Sequence, residues 1–213
     1  MTFHNKYKKL HWSKNYGLIP TIIQHAISGE VLMLGYMNKE SLAETERTKY
    51  ITFFSRSKNR LWKKGESTGN LLKLSRWYPD CDYDTLLMLV LPEGPTCHNN
   101  TNSCFYPAST DFSFLYQLEN TISKKKQYTS TSSNQLSYTA TLYTKGISRI
   151  AQKVGEEGIE TALAAVSKDS KALIHETSDL IYHILVLLQH ESIDLNKIIN
   201  ELRIRSTIKT AQI

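Results

Sequence analysis

Apolar and polar positions follow a different rhythm in the two halves of this chain. Residues 30–37 (EVLMLGYM) form an apolar run of strand length, and Asn38 behind it is placed to cap a short helix over 39–47. Residues 50–54 are aromatic and β-branched, and 71–77 and 85–91 share that character, which predicts three more strands. The polar stretch 63–70 carries Gly65 and Gly69 and reads as a loop whose backbone comes close to another group. Past residue 106 the apolar period lengthens. Leu115, Leu118 and Ile122 recur at helical intervals, as do Ile147, Ile150 and Val154, then Leu173, Leu180, Ile184 and Leu187, and finally Leu195, Ile198 and Leu202. Pro107, Ala108, Ser109 and Thr110 read as a linker, and 124–134 (KKKQYTSTSSN) as an exposed loop between helices. The pattern predicts an α+β domain over 1–113 followed by an all-α domain over 114–213. Each is near the small end for an independent core, so oligomerisation would help both.

Composition narrows the class. Of 213 residues (24.4 kDa), 40% are hydrophobic and 22% charged, with a mean hydropathy of -0.37. These are values of a folded globular chain, neither disordered nor collagenous. The longest apolar runs, 86–91 and 184–188, fall far short of the ~20 residues that cross a bilayer. The lysines of residues 1–10 precede no apolar stretch, so no signal peptide is expected. The net charge of +6 and pI of about 9.1 suit an anionic partner (nucleic acid, a membrane surface or a phosphorylated small molecule) or reflect lysine-rich drift. Three cysteines are too few, and odd in number, for a disulfide scaffold; they point to a reducing, cytoplasmic setting and to thiolates used singly or on a metal.

Cys81, Cys97 and Cys104 crowd into one short window, with fifteen and then six residues between them. Thiolates select zinc, and three of them leave a fourth position for water, the open position that catalytic zinc requires. His98, beside a ligand cysteine, then suits a general acid or base; alternatively it closes a structural site or is an ordinary histidine. Asp80, Asp82 and Asp84 alternate with Cys81 and Tyr83. If the segment is extended, the three carboxylates share one face, where a hard cation such as Mg²⁺ would relieve their repulsion, and Cys81 faces the other way. The other reading is an acidic surface turn after Pro79. In the extended reading Cys81, facing away from the aspartates, could reach a zinc whose other thiolates belong to a second subunit. Upstream, residues 61–70 (LWKKGESTGN) combine donors, two glycines and an aromatic in one loop; its backbone amides, Lys64, Ser67 and Thr68 could hold a phosphate, and Arg56 and Arg60 lie just before them.

Four ordered blocks, GEVLMLGYMN, FSRSKNRLWKKGES, DCDYD and CHNNTNSCF, resemble phosphoribosyl-AMP cyclohydrolase of histidine biosynthesis. The resemblance implies zinc held by Cys81, Cys97 and Cys104 at a homodimer interface. It also implies Mg²⁺ on Asp80, Asp82 and Asp84, substrate contacts from Arg56, Trp62, Lys64, Gly65, Glu66 and Ser67, and proton transfer by His98. The implied reaction is like adenine deamination, with zinc-activated water attacking C6 and the N1–C6 bond opening. Two departures stand out: His98-Asn99-Asn100 replaces His-Thr-Gly, and Ser67-Thr68 replaces Thr-Ser. The lost glycine falls on Asn100, a residue type that tolerates the left-handed conformation.

In the second half Glu157 and Glu160 lie three apart and share a helix face, and Glu176 and Asp179 repeat that spacing after a gap of fifteen residues. That gap is long enough to end one helix and begin an antiparallel partner, so the four carboxylates would converge between two helices. With Mg²⁺ such a group can hydrolyse a diphosphate linkage; without it, the pairs are solvated helix faces. Lys153 and His183 lie one turn away. Gly158 inside a helix implies close helix packing. SYTATLYTKG, QKVGEEGIET and HETSDLIYHILVLL resemble phosphoribosyl-ATP pyrophosphohydrolase of the all-α nucleotide pyrophosphatases. That resemblance implies Mg²⁺ ligation by Glu157, Glu160, Glu176 and Asp179, with Gly158 where alanine is usual. Together the two resemblances imply a bifunctional enzyme acting on phosphoribosyl-adenine nucleotides, with no nucleic-acid or membrane partner. A zinc-stabilised nucleic-acid-binding module would explain +6 and the cysteines but not the carboxylate pairs. A zinc deaminase for free nucleosides would need a His/Cys-x-Glu and paired-Cys pattern that is lacking here.

Overall fold

The computed structural model describes residues 9–13, 15–107, 111–126 and 137–210, and the chain divides into two compact units, Met1–Ser113 and Phe114–Ile213. The first is α+β and the second all-α. Of the predicted linker, residues 108–110 lie outside the described residues, as do 127–134 of the predicted polar loop. Residues 124–126 are not loop: three lysines end a helix there, where positive charge suits the helix C-terminus.

In the first unit β1 (Ile19–His25) and β2 (Val31–Met37) form an antiparallel pair. Helix α1 (Lys39–Thr48) follows at once. Asn38 caps it through a reciprocal pair of bonds: its Oδ1 accepts from the Ser41 N–H at 2.8 Å, and Ser41 Oγ accepts from the Asn38 N–H at 2.9 Å. Strands β3 (Thr52–Ser55) and β4 (Arg60–Lys63) make a separate hairpin. β5 (Leu72–Pro79) and β6 (Leu86–Pro92) complete the main sheet, in the order β2-β1-β6-β5. Here β1 runs parallel to β6 while the outer pairs are antiparallel. Strands β1 and β4 were missed by the sequence pattern, although Ile19, Thr21, Ile23 and His25 do alternate inward along β1.

The core of this unit gathers Ile19, Ile23, Leu32, Met37, Leu42, Ile51, Phe53, Leu72, Leu86, Met88 and Val90. Trp77 donates from Nε1 to Glu46 at 2.9 Å, tying α1 to the sheet. Gly35 lets the hairpin approach β2: a Cβ there would lie 2.3 Å from the ring of Phe53.

Among its described residues the second unit has four helices: α2 (Asp111–Lys126), α3 (Tyr138–Val166), α4 (Ser170–His190) and α5 (Leu195–Thr210). Ile122, Leu142, Tyr143, Ile150, Leu185 and Val186 form its core. Polar anchors fix the ends. The buried Glu119 accepts from Gln189 Nε2 at 2.9 Å and from the Leu195 N–H at 2.6 Å, so α2 caps the start of α5. Lys126 donates to the carbonyls of Gln189 and His190 at the C-terminus of α4. Helix α3 is broken at Gly146, whose φ of 78° is open to glycine and strained for other residues. The break folds the first two turns back onto α4. His183 touches both Tyr138 and Glu157, residues that a straight helix would hold about 28 Å apart. No helix among the described residues is long and apolar enough to cross a membrane.

Gly158 does not mark the close packing expected of it, because a Cβ there would meet nothing nearer than Leu180 Cδ1 at 4.0 Å. The two glycines therefore respond in opposite senses to alanine. Gly35→Ala drives a methyl into a buried ring and should cost about 1–3 kcal/mol, whereas Gly158→Ala should gain up to about 1 kcal/mol of helix stability. Shifts of the urea midpoint for the unit concerned measure both.

Candidate active sites

The loop after β4 and the loop after β6 face each other across a cavity of about 270 Å³. Trp62, Lys64, Gly65, Ser67 and Thr68 line one side; Thr96, Cys97, His98, Asn100 and Cys104 line the other. Asn70 joins them. It sits where a Cβ on Gly65 would lie 2.2 Å from its carbonyl and one on Gly94 would lie 2.3 Å from its Oδ1, so both glycines are required for the closeness. Gly65 also has φ of +84°. Phe53 packs on the Trp62 ring at 5.8 Å and fixes it at the cavity wall.

The Cys97 loop is closed by its own backbone. The Cys97 N–H bonds to the carbonyl of Thr101 at 3.0 Å, and the Asn100 N–H bonds back to that of Cys97 at 3.1 Å. Asn100 has φ of 60°, the left-handed conformation that the departure from glycine at this position demanded. The N–H of Asn99 and the hydroxyl of Thr101 point donors at the Cys97 thiol and hold it below the ordinary thiol range, against a smaller opposing effect of burial. Burial pushes Cys104 up, with the neighbouring Cys97 thiol adding to the effect. His98 Nδ1 is 3.8 Å from Cys97 Sγ. Lys64 is lowered by burial, while the charge of Cys104 and Cys97 opposes that shift. Two thiols and an imidazole thus face one space, a ligand set that fits a soft cation, with the Lys64 ammonium facing the same cavity.

Other residues named from the sequence lie elsewhere. Arg56 stacks its guanidinium 4.0 Å from the centre of the Tyr36 ring, and Glu66 is paired with Arg60; neither lines the cavity. Cys81 is exposed and also outside it. Residues 80–84 form a turn, not the extended run that alternation would require. Pro79 ends β5, Tyr83 takes φ of 61°, and Asp80 Oδ1 accepts from the N–H groups of Asp84 and Thr85 at 3.0 and 3.1 Å. Burial raises the Asp80 carboxyl, but those bonds outweigh it and the net direction is downward. The turn, rather than a strand face, brings one oxygen each of Asp80, Asp82 and Asp84 within 4.8 Å of one another. It also leaves Cys81 Sγ 4.0 Å from Asp82 Oδ1, not on an opposite face.

In the helical unit α3 and α4 bring Glu157, Glu160 and Glu176 to the same mutual distance, and Glu176 and Asp179 form a second such group with His175. Lys153 holds the Glu157 carboxyl below its usual range; Glu160 is raised by burial, then by the charges of Glu157 and Glu176. Buried His183 has its Nδ1 without a hydrogen-bond partner. The crowded carboxylates fit a hard cation. Of the cavity residues, Met33, Pro95 and Thr96 were not named from the sequence, whereas Thr68 and Asn70 lay in the glycine-containing loop singled out there.

The chain thus carries two separate candidate centres, a cysteine–histidine cavity on an α+β unit and an acidic helix pair on an all-α unit. Residues 33–106 match the family described as phosphoribosyl-AMP cyclohydrolase, and residues 115–206 match that described as phosphoribosyl-ATP pyrophosphohydrolase. The chain is 73% identical over 205 residues to the histidine biosynthesis bifunctional protein HisIE of Blochmanniella floridana, covering 96% of each. It is 56% identical to that of Yersinia pestis, covering 96% of this chain and 98% of the relative, and 54% identical to that of Escherichia coli K12, covering 93% and 96%. The chain belongs to the HisIE family of bifunctional histidine-biosynthesis enzymes, with both hydrolase activities on one polypeptide.

The opposed thiol shifts give a direct check. In chelator-treated protein, alkylation of Cys97 should have a lower pH midpoint than that of Cys104. Peptide mass spectrometry across a pH series reads both.

Proposed function

We propose that the helical unit acts first, hydrolysing phosphoribosyl-ATP to phosphoribosyl-AMP and diphosphate, and that the α+β unit then opens the adenine ring of that product. The observation behind this reading is that each matched domain holds its own compact set of ligand atoms. Cys97 and Cys104 with His98 suit zinc; Asp80, Asp82 and Asp84 suit Mg²⁺, as do Glu157, Glu160, Glu176 and Asp179. When bound, these cations supply Lewis acidity for water and charge neutralisation for phosphates.

The chain's own groups do the rest. Trp62, backed by Phe53, offers a face for the purine, while Lys64, Ser67 and the backbone at Gly65 take phosphate oxygens. Arg56 and Glu66 act from the rim. His98 accepts a proton from the attacking water and returns it to N1 as the N1–C6 bond breaks, leaving oxygen on C6. In the helical unit, Glu157, Glu160, Glu176 and Asp179 orient cation and water toward the phosphorus that loses diphosphate. Cys81 serves the cavity of a second copy: the enzyme is a homodimer in which Cys81 of the partner subunit supplies the third thiolate, a role that suits its exposure outside its own cavity. The three unbridged cysteines support a reducing, cytoplasmic setting for the enzyme.

The test follows diphosphate release and ring opening separately on the purified chain. Cys97→Ala should lower ring opening at least about a hundredfold and spare diphosphate release. Glu176→Ala should do the reverse, with ring opening intact when phosphoribosyl-AMP is supplied. Loss of both activities in either folded variant overturns the assignment of one site per unit.

A further inference from the structure

Glu157 is 4% exposed, and a carboxylate so buried needs a compensating charge. One turn earlier, Lys153 donates to Glu157 Oε1, and the same ammonium reaches Glu156 Oε2 at 3.0 Å. Arg149 and Gln152 hold Glu156 from its other side, at 3.2 and 2.8 Å. From α4, His183 Nε2 approaches Glu157 Oε1 to 3.8 Å. That ring is buried against Tyr138 and Tyr182, a setting for neutral imidazole, so it adds no full charge. Among the described residues Lys153 is the ammonium in contact with Glu157. It stands at one end of the cluster, and Glu160 and Glu176 at the other crowd Glu157 with no such contact.

We propose that Lys153 is the resident counter-cation of the acidic site, a positioning residue that holds the Glu157 carboxylate in place and weakens the site's hold on a free divalent cation. The inference rests on the reading of Glu157, Glu160, Glu176 and Asp179 as a cation site. Its consequence is that free metal binds poorly, because one carboxylate is already neutralised. The cation then enters chiefly with the nucleotide, whose phosphates supply the missing negative charge.

Calorimetric titration of the full-length chain with Mn²⁺ tests this. The component lost in Glu176→Gln is that of the helical site. Lys153→Met should tighten this component by about tenfold or more, and Lys153→Arg, which retains the charge, should stay near the unmodified chain. The metal-free Lys153→Met protein should melt below the unmodified chain, and saturating Mn²⁺ should narrow that gap. Equal or weaker Mn²⁺ binding by folded Lys153→Met overturns the role of Lys153 while the cation site stands. If Glu176→Gln removes no component, the cation site itself fails and the inference falls with it. Should Lys153→Met not fold, Lys153→Gln carries the same expectation.

Discussion

Negative groups held close to other negative groups recur at three places in this chain, and at each one the surrounding structure offsets the repulsion differently. At Asp80, two backbone N–H groups of the following turn do so. At Cys97, donors from its own loop favour the thiolate and Lys64 stands opposite. At Glu157 it is an ammonium on the same helix. In each case the net effect favours the ionised form.

Backbone geometry makes this crowding possible. The cyclohydrolase cavity exists because two loops can close on Asn70, and they close because Gly65 and Gly94 have no side chain to hold them off. Gly35 does the same for the hairpin that carries Trp62, admitting Phe53 against β2. The Cys97 loop turns on Asn100, where the left-handed backbone takes asparagine in place of glycine. In the pyrophosphohydrolase unit the break at Gly146 decides the outcome. It returns Tyr138 and Thr139 to α4, where Tyr138 meets His183 and Thr139 bonds to Tyr182 at 2.8 Å. The acidic cluster is thus closed on one side by aromatic rings rather than left open along a straight helix.

Much of the architecture was readable in the residues alone. The strands at β2, β3, β5 and β6, the Asn38 cap and the helical second half all follow from periodicity and capping, which are local properties of consecutive side chains. The carboxylates on α3 and α4 were legible for the same reason, since a three-residue spacing sets a helix face without reference to the rest of the fold. Tertiary packing settled the remainder. β1 pairs in parallel with a strand some sixty residues away, and β4 is four residues long, so neither announces itself in a short window. The aspartate turn overrode simple alternation because a carboxylate found two N–H groups nearby. Gly158 looked like a packing requirement and is not one, whereas Gly146, which the sequence pattern did not single out, bends a helix. Spacing along the chain fixes what neighbours on one element share; the distance between elements, and so the company each charge keeps, depends on where a missing Cβ or a left-handed residue lets the backbone go.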